Sequence, residues 1–270
     1  MTARFWRLWS IAPAALLLAL SAAPGAQGEP TGAGDTEARA MESVRRMSAF
    51  LAESKRFGVT IDVGYDIVQD WGQKIEFGET RRLTVRRPDR LRLDTTSRDG
   101  SASGVVFDGN EVTAFDMAHE VYATEERAGT IEEMIAYFVH DLGMRLPLSS
   151  FLSSRLPQIV QDFADDIAYV ERSAIAGVVC DHVALRGDWE DVQMWIAQGD
   201  RPLLQRLVIT YTRAEGKPQF WAQFRDWNLS PAAADSVFSF KPGEGMGRIP
   251  FAAQAARLQP GGAGPQGGQP

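Results

Sequence analysis

The side chains best suited to chemistry are few and scattered. The 270-residue sequence holds three histidines, His119, His140 and His182, and none has the short spacing that brings two imidazoles onto one metal ion. Cys180 and His182 stand two apart, so on a strand they share a face, and a thiol beside an imidazole is the start of a nucleophilic pair. Side chains at that spacing diverge from a tight hydrogen bond, and no orienting Asn or Asp is evident. A buried cysteine serves more simply as a small apolar residue. Asp62, Asp66 and Asp70, and the pair Asp165 and Asp166, would suit acid–base work or calcium, but neither group has the twelve-residue loop pattern of a calcium site. Gly-rich phosphate loops, a Gly-x-Ser-x-Gly elbow and a His-Glu-x-x-His helix are all missing from the sequence. The residues therefore argue against an enzyme and call for no cofactor and no metal.

The elements that would carry these residues follow from hydrophobic period. Ala40, Val44, Met47, Phe50 and Leu51 recur at three- and four-residue steps, which predicts a helix from a cap at Asp35 or Thr36 to about Glu53. From Gly58 the period falls to two: Val59, Ile61, Val63, Tyr65 and Ile67 alternate with polar residues, so one face of a long strand is buried and Asp62 and Asp66 point outward. Lys74 to Arg87, Arg90 to Thr96, Val105 to Phe107, Glu111 to Phe115 and His119 to Thr124 continue an antiparallel meander, with turns at Asp70 to Gln73, Pro88-Asp89, Asp99-Gly100 and Asp108 to Asn110. Arg81, Arg82, Arg86, Arg87, Arg90 and Arg92 alternate with apolar residues there and read as a solvent face.

A helical stripe, Ile131, Met134, Ile135, Phe138, Val139 and Leu142, then runs from a Thr130 cap to Gly143. Pro147 to Phe163 adds two short pieces divided at Pro157. Strands resume at Ile167 to Ala174, Val178 to Gly187, Val192 to Ala197, Leu204 to Arg213 and Phe220 to Asn228, and Ala232 to Phe240 closes the order with a short helical turn.

Arg4 and Arg7, the apolar run from Ile11 to Leu20, and the small residues Ser21, Ala22 and Ala23 have the pattern of a secretory leader cleaved near Ala23. The arginines are not adjacent, which favours the general secretion route, and no cysteine lies near the cleavage point to accept a lipid. The expected compartment is the periplasm. Cys180 is the sole cysteine, so no intramolecular disulfide is available and packing must supply stability. The net charge of −7 falls to about −9 without the two leader arginines, which repels nucleic-acid backbones. No later run reaches the length of a membrane span. The expected organisation is a leader over 1–23, a flexible linker over 24–35, one domain over 36–251 and a disordered Gly/Pro/Gln-rich tail over 252–270.

Three stretches carry a resemblance: Arg86-Arg-Pro-Asp-Arg-Leu-Arg-Leu93, Phe107-Asp-Gly-Asn-Glu-Val112, and Gln193-Met-Trp-Ile196 with Gly199-Asp-Arg-Pro-Leu203 before Arg206-Leu-Val-Ile-Thr-Tyr211. Over roughly Thr36 to Phe240 they resemble domain of unknown function 2092, a bacterial family of predicted periplasmic proteins. The order of elements resembles the LolA-like fold of periplasmic lipoprotein carriers. That resemblance implies an α+β protein whose strongly curved antiparallel sheet, a half-open β-barrel, wraps around the N-terminal helix and the helical insertion. It also implies an apolar concave face that holds a lipid, a lipoprotein acyl chain or another hydrophobic small molecule. The alternative is an envelope interaction or sensor module whose partner is another protein. Burying about 300 Å² of acyl chain is worth roughly 7 kcal/mol gross, so a carrier needs only a dry cavity. Candidate lining residues are Val63, Tyr65, Ile67, Phe77, Leu91, Leu93, Phe115, Met134, Phe138 and Trp195, with Phe220 and Trp221 among the further large apolar side chains. A filled barrel and a hollow one demand the same alternation.

Overall fold

The computed structural model describes residues 33–144 and 146–251. The expected leader over 1–23 and tail over 252–270 lie outside the described residues. Helix α1 spans Ala33–Glu53, so it begins inside the stretch expected to be linker. Its Ala40, Met41, Val44, Met47 and Leu51 are buried on one stripe, as the three- and four-residue spacing requires.

The first meander comprises β1 (Arg56–Val68), β2 (Lys74–Arg86), β3 (Arg90–Ser97), β4 (Ala102–Phe107), β5 (Glu111–Asp116) and β6 (Val121–Glu126). Helix α2 (Ile131–Ala136) follows and widens into a π-turn at Tyr137–Asp141. Thr130 caps it: its hydroxyl accepts from the Glu133 backbone N–H while the Glu133 carboxylate accepts from the Thr130 N–H. After a 3-10 turn at Ser149–Leu152 comes α3 (Leu156–Phe163). The chain is not divided at Pro157 as expected; the break precedes it, because proline is accommodated in the first helical turn, where its missing N–H would have had no partner.

The second meander is β7 (Ala164–Ile175), β8 (Val178–Gly187), β9 (Glu190–Ala197), β10 (Leu204–Tyr211) and β11 (Gln219–Asn228). Pairing of β1 with β11 fuses the meanders into one open 12-stranded sheet of order β12-β6-β5-β4-β3-β2-β1-β11-β10-β9-β8-β7. Among the described residues all pairings are antiparallel except that of β12 (Gly247–Arg248) with β6, a short strand that the sequence pattern does not reveal. The expected class, α+β with a curved antiparallel sheet, is the one observed. Register shifts in β1, β7 and β10 add local twist, and Gly64 faces Gly78 across the long β1–β2 hairpin. A side chain at Gly64 would collide with Trp221, whose ring occupies the space a Cβ would need.

Odd-numbered residues of β1, β2 and β3 face the concave side and join α1, α2, α3 and the 3-10 turn in one large core. A smaller cluster, Val106, Phe115, Ala233 and Phe238, lies on the convex side, where the chain after β11 crosses the first meander. That segment then turns round the β6 edge as β12 and places Phe251 against Phe138, ring centroids 5.8 Å apart. Not every basic residue of β2 and its neighbourhood faces solvent as expected. Arg81 belongs to the concave face, and half-buried Arg87 donates to the carbonyls of Leu51 and Leu152, tying the end of α1 to the 3-10 turn.

Candidate functional site

The registers of β2 to β5 define levels across the concave face. Val85, Leu91, Phe107 and Val112 are successive cross-strand partners at one level, and Leu83, Leu93, Val105 and Ala114 at the next. One level further toward the β1–β2 tip the chemistry changes: Arg81, Thr95, Ser103 and Asp116 stand side by side, followed by Glu79 beside Ser97. An apolar floor thus meets a polar rim along a boundary that crosses four strands.

Above this surface lies a cavity of ≈ 290 Å³. Its floor includes Ile61, Leu83, Leu91, Leu93 and Val105; its roof is Met134, Ile135 and Phe138, then Met144, Leu146 and Leu148, then Phe151 and Leu152; its mouth is Glu79, Arg81, Thr95, Ser97, Ser101, Ser103, Asp116 and His119. The π-turn carries Phe138 into this roof. A second cavity of ≈ 140 Å³ lies between α1, α3 and β8 to β10, and Pro147, Leu148 and Phe151 line both cavities. Phe151 is seated edge-on against Phe224, centroids 5.6 Å apart.

The charges at the mouth are paired within the protein. Arg81 donates through Nε (2.6 Å) and approaches through Nη2 (2.5 Å) the same Glu79 oxygen, with the two side chains 13% and 14% exposed. Asp116 accepts from the backbone N–H groups of Ala118 and His119 and lies 2.7 Å from His119 Nδ1. Tyr65 stacks on Phe77, and burial, then the nearby Glu79 carboxylate, pushes its phenol above the usual tyrosine range.

Of the candidate residues, Tyr65, Leu91, Leu93, Met134 and Phe138 line the larger cavity together. Val63 shares their face but is packed into the core, and Ile67 and Phe77 lie beyond the polar level near the hairpin tip, Phe77 being 42% exposed. Phe115 and Trp195 require correction, because both belong to the convex face. Phe115 stacks on Phe240 at 4.5 Å and Trp195 on His182 at 4.2 Å. In β5 residues of both faces are buried because the C-terminal segment covers part of the outer one, so Phe115 could not be assigned inside or outside from its apolar character. Phe220 is on the concave side and Trp221 on the convex side, over Gly64. The polar mouth was not anticipated. Its signal is the change along one strand face from Leu83 to Arg81 and Glu79, and from Leu93 to Thr95 and Ser97.

Two of the other chemical candidates, Cys180 and Asp62, are accounted for by their surroundings. Cys180 is fully buried and desolvation raises its thiol above the ordinary range, so little nucleophilic thiolate is available. Asp62 faces outward and pairs with Arg225 and Thr80. Among the described residues no three His, Cys, Asp or Glu side chains are grouped to hold a metal, and no helix is long and apolar enough to cross a membrane.

Fold and site together define an α+β protein whose half-open curved sheet holds an amphipathic cavity under a helical roof. The chain belongs to the family described as predicted periplasmic protein (DUF2092), which matches residues 40–252. A comparison with curated protein sequences finds no match. Similar solved structures include an uncharacterised conserved protein from Thermus thermophilus, 8% identical over 78% of this chain and 99% of that chain with a TM-score of 0.47. The lipoprotein LppX of Mycobacterium tuberculosis is 13% identical over 73% and 99%, with a TM-score of 0.45. A LolA superfamily protein from Nitrosomonas europaea is 9% identical over 74% and 97%, with a TM-score of 0.35.

Proposed function

We propose that this protein binds and carries a hydrophobic ligand, a lipid or an acyl chain, in the cavity between the concave sheet and its helical roof. The observation that carries the reading is a ≈ 290 Å³ space floored by Leu83, Leu91 and Leu93 and roofed by Met134 and Phe138. It is about twice the volume of an engineered apolar cavity, roughly 150 Å³, that binds benzene. Membership of a family of predicted periplasmic proteins supports work in the periplasm, after removal of a leader near Ala23. Native mass spectrometry of protein exported with its own leader is the test. The expected result is a bound amphiphile that organic extraction removes and added lipid restores. Protein that repeatedly emerges empty, and that takes up no apolar fluorescent probe, overturns the proposal.

A specific feature favours a protein or membrane partner at the mouth. Hairpin connections place the β1–β2, β3–β4, β5–β6, β8–β9 and β10–β11 turns along one rim. Trp71 (70% exposed), Trp189 (67%) and Met117 (48%) project there. The Thr212 N–H donates to the Trp189 carbonyl, and Arg98 to Glu76, joining neighbouring tips. Pull-down from envelope extract with Trp71→Ser/Trp189→Ser as the comparison separates this role from simple storage: a partner recovered by the native chain and lost by the variant supports it, and none recovered counts against it.

A further inference from the structure

The carrier reading leaves the polar level of the cavity unexplained, since an acyl chain needs only the floor. We infer that Glu79, Arg81, Thr95, Ser97 and Ser103 form a headgroup subsite that selects an uncharged, hydroxyl-bearing single-chain amphiphile, one with a glycerol or sugar head, over a fatty-acid anion. The inference rests on the carrier reading and deepens it.

The first argument is placement. Arg81, Thr95 and Ser103 are cross-strand neighbours one level above Leu83, Leu93 and Val105, so a ligand whose tail lies on the floor brings its head to them. The second is charge. The Arg81 guanidinium already meets Glu79 at 2.5 Å, and Asp116 adds a second carboxylate to the same mouth. An incoming carboxylate would have to displace Glu79 from a largely buried pair and accept the repulsion of Asp116, whereas a neutral head leaves the pair intact. The third is hydrogen-bonding capacity. The Thr95, Ser97 and Ser103 side chains are half-buried, and their hydroxyls make no hydrogen bond to another described residue. Each hydroxyl both donates and accepts, which matches a polyol, whereas an anion that only accepts leaves the accepting half unused. The cavity volume, at the low end for a drug-sized ligand, suits one chain rather than two.

Competition against the neutral apolar probe N-phenyl-1-naphthylamine tests the assignment, using ten-carbon ligands at pH 8: monodecanoylglycerol, decyl glucoside, decanoate and decane. One of the two hydroxylated ligands should bind about tenfold tighter than decanoate, the scale of one or two well-made hydrogen bonds. Ser97→Ala/Ser103→Ala should cut that preference to below about threefold by weakening the hydroxylated ligand more than decanoate. Glu79→Gln should free Arg81 and raise decanoate affinity about tenfold, a gain that a damaged site cannot produce. Probe binding with decanoate equal to or tighter than both hydroxylated ligands, or an unchanged ratio in Glu79→Gln, overturns this inference alone. Failure of the probe and every ligand to bind overturns the carrier reading and this inference together.

Discussion

Ser43 of α1 donates its hydroxyl to the Asp181 carboxylate of β8 at 2.9 Å, and both residues are buried. Gln198 donates to the same carboxylate at 2.6 Å, and Arg39 lies 4.0 Å from it. The first helix is thereby bound to the second meander by a buried polar contact, with Arg39 to Tyr169 and Arg46 to the Gly199 carbonyl adding exposed ones. Asp181→Ala leaves the Ser43 and Gln198 donors without their acceptor and should cost about 1–3 kcal/mol. In urea unfolding the midpoint should fall with the slope unchanged. An unaltered midpoint would show that the carboxylate contributes no stability.

Gly64→Ala should destabilise by about 1–3 kcal/mol, because the new methyl group must displace the Trp221 ring. Trp221 also donates its indole N–H to Glu76 at 3.1 Å, so its displacement breaks a hydrogen bond. Combining Gly64→Ala with Trp221→Leu should recover part of the loss, which a double-mutant cycle reads directly. Additive effects would refute steric conflict as the cause.

Asp62 titrates below the usual carboxylate range, first because Arg225 hydrogen-bonds its charged form and also through Thr80. The folded value is lower than the unfolded one, so the unfolded chain binds more protons in the acid range. Its stabilisation is complete above about pH 4 and disappears as the pH drops through the folded value. Asp62→Asn should therefore be less stable than the native chain at pH 7, with the two converging in the window below about pH 4. Unfolding curves that stay parallel across that window would sink the assignment.

Leu93→Trp places a larger side chain in the cavity floor and should abolish probe and lipid uptake. Overpacking should cost no more than about 1–3 kcal/mol, so circular dichroism should report a folded protein. A folded variant with full uptake would place the ligand elsewhere.

Period alone located α1, the strands of both meanders and the helical insertion, since each buries one face and so must alternate or repeat. It could not place Phe115, because alternation assigns residues to faces without saying which face is covered and the C-terminal segment covers part of the convex one, nor Trp195, which His182 and Arg206 hold on that face. β12 escaped because two residues held by parallel pairing carry no periodic signal. The polar mouth was legible in principle. Arg81 and Glu79 continue the Leu83 face of β2, but only the register with β3 to β5 brings Thr95, Ser97, Ser103 and Asp116 to the same height. That arrangement depends on partners far apart in sequence, which no local pattern records.

The contact of Phe251 with Phe138 makes one end of the roof a doorpost. Tyr137 reinforces it by donating to Glu125 at 2.6 Å, with the Arg127 guanidinium 3.7 Å above its ring. Beyond this post, among the described residues, Leu142 and Met144 donate their backbone N–H groups to the Tyr137 and Phe138 carbonyls, and the Leu146 carbonyl accepts from Ser149. The post that braces the π-turn end of the roof is therefore supplied by the segment that follows β12, far along the chain from the helix it supports.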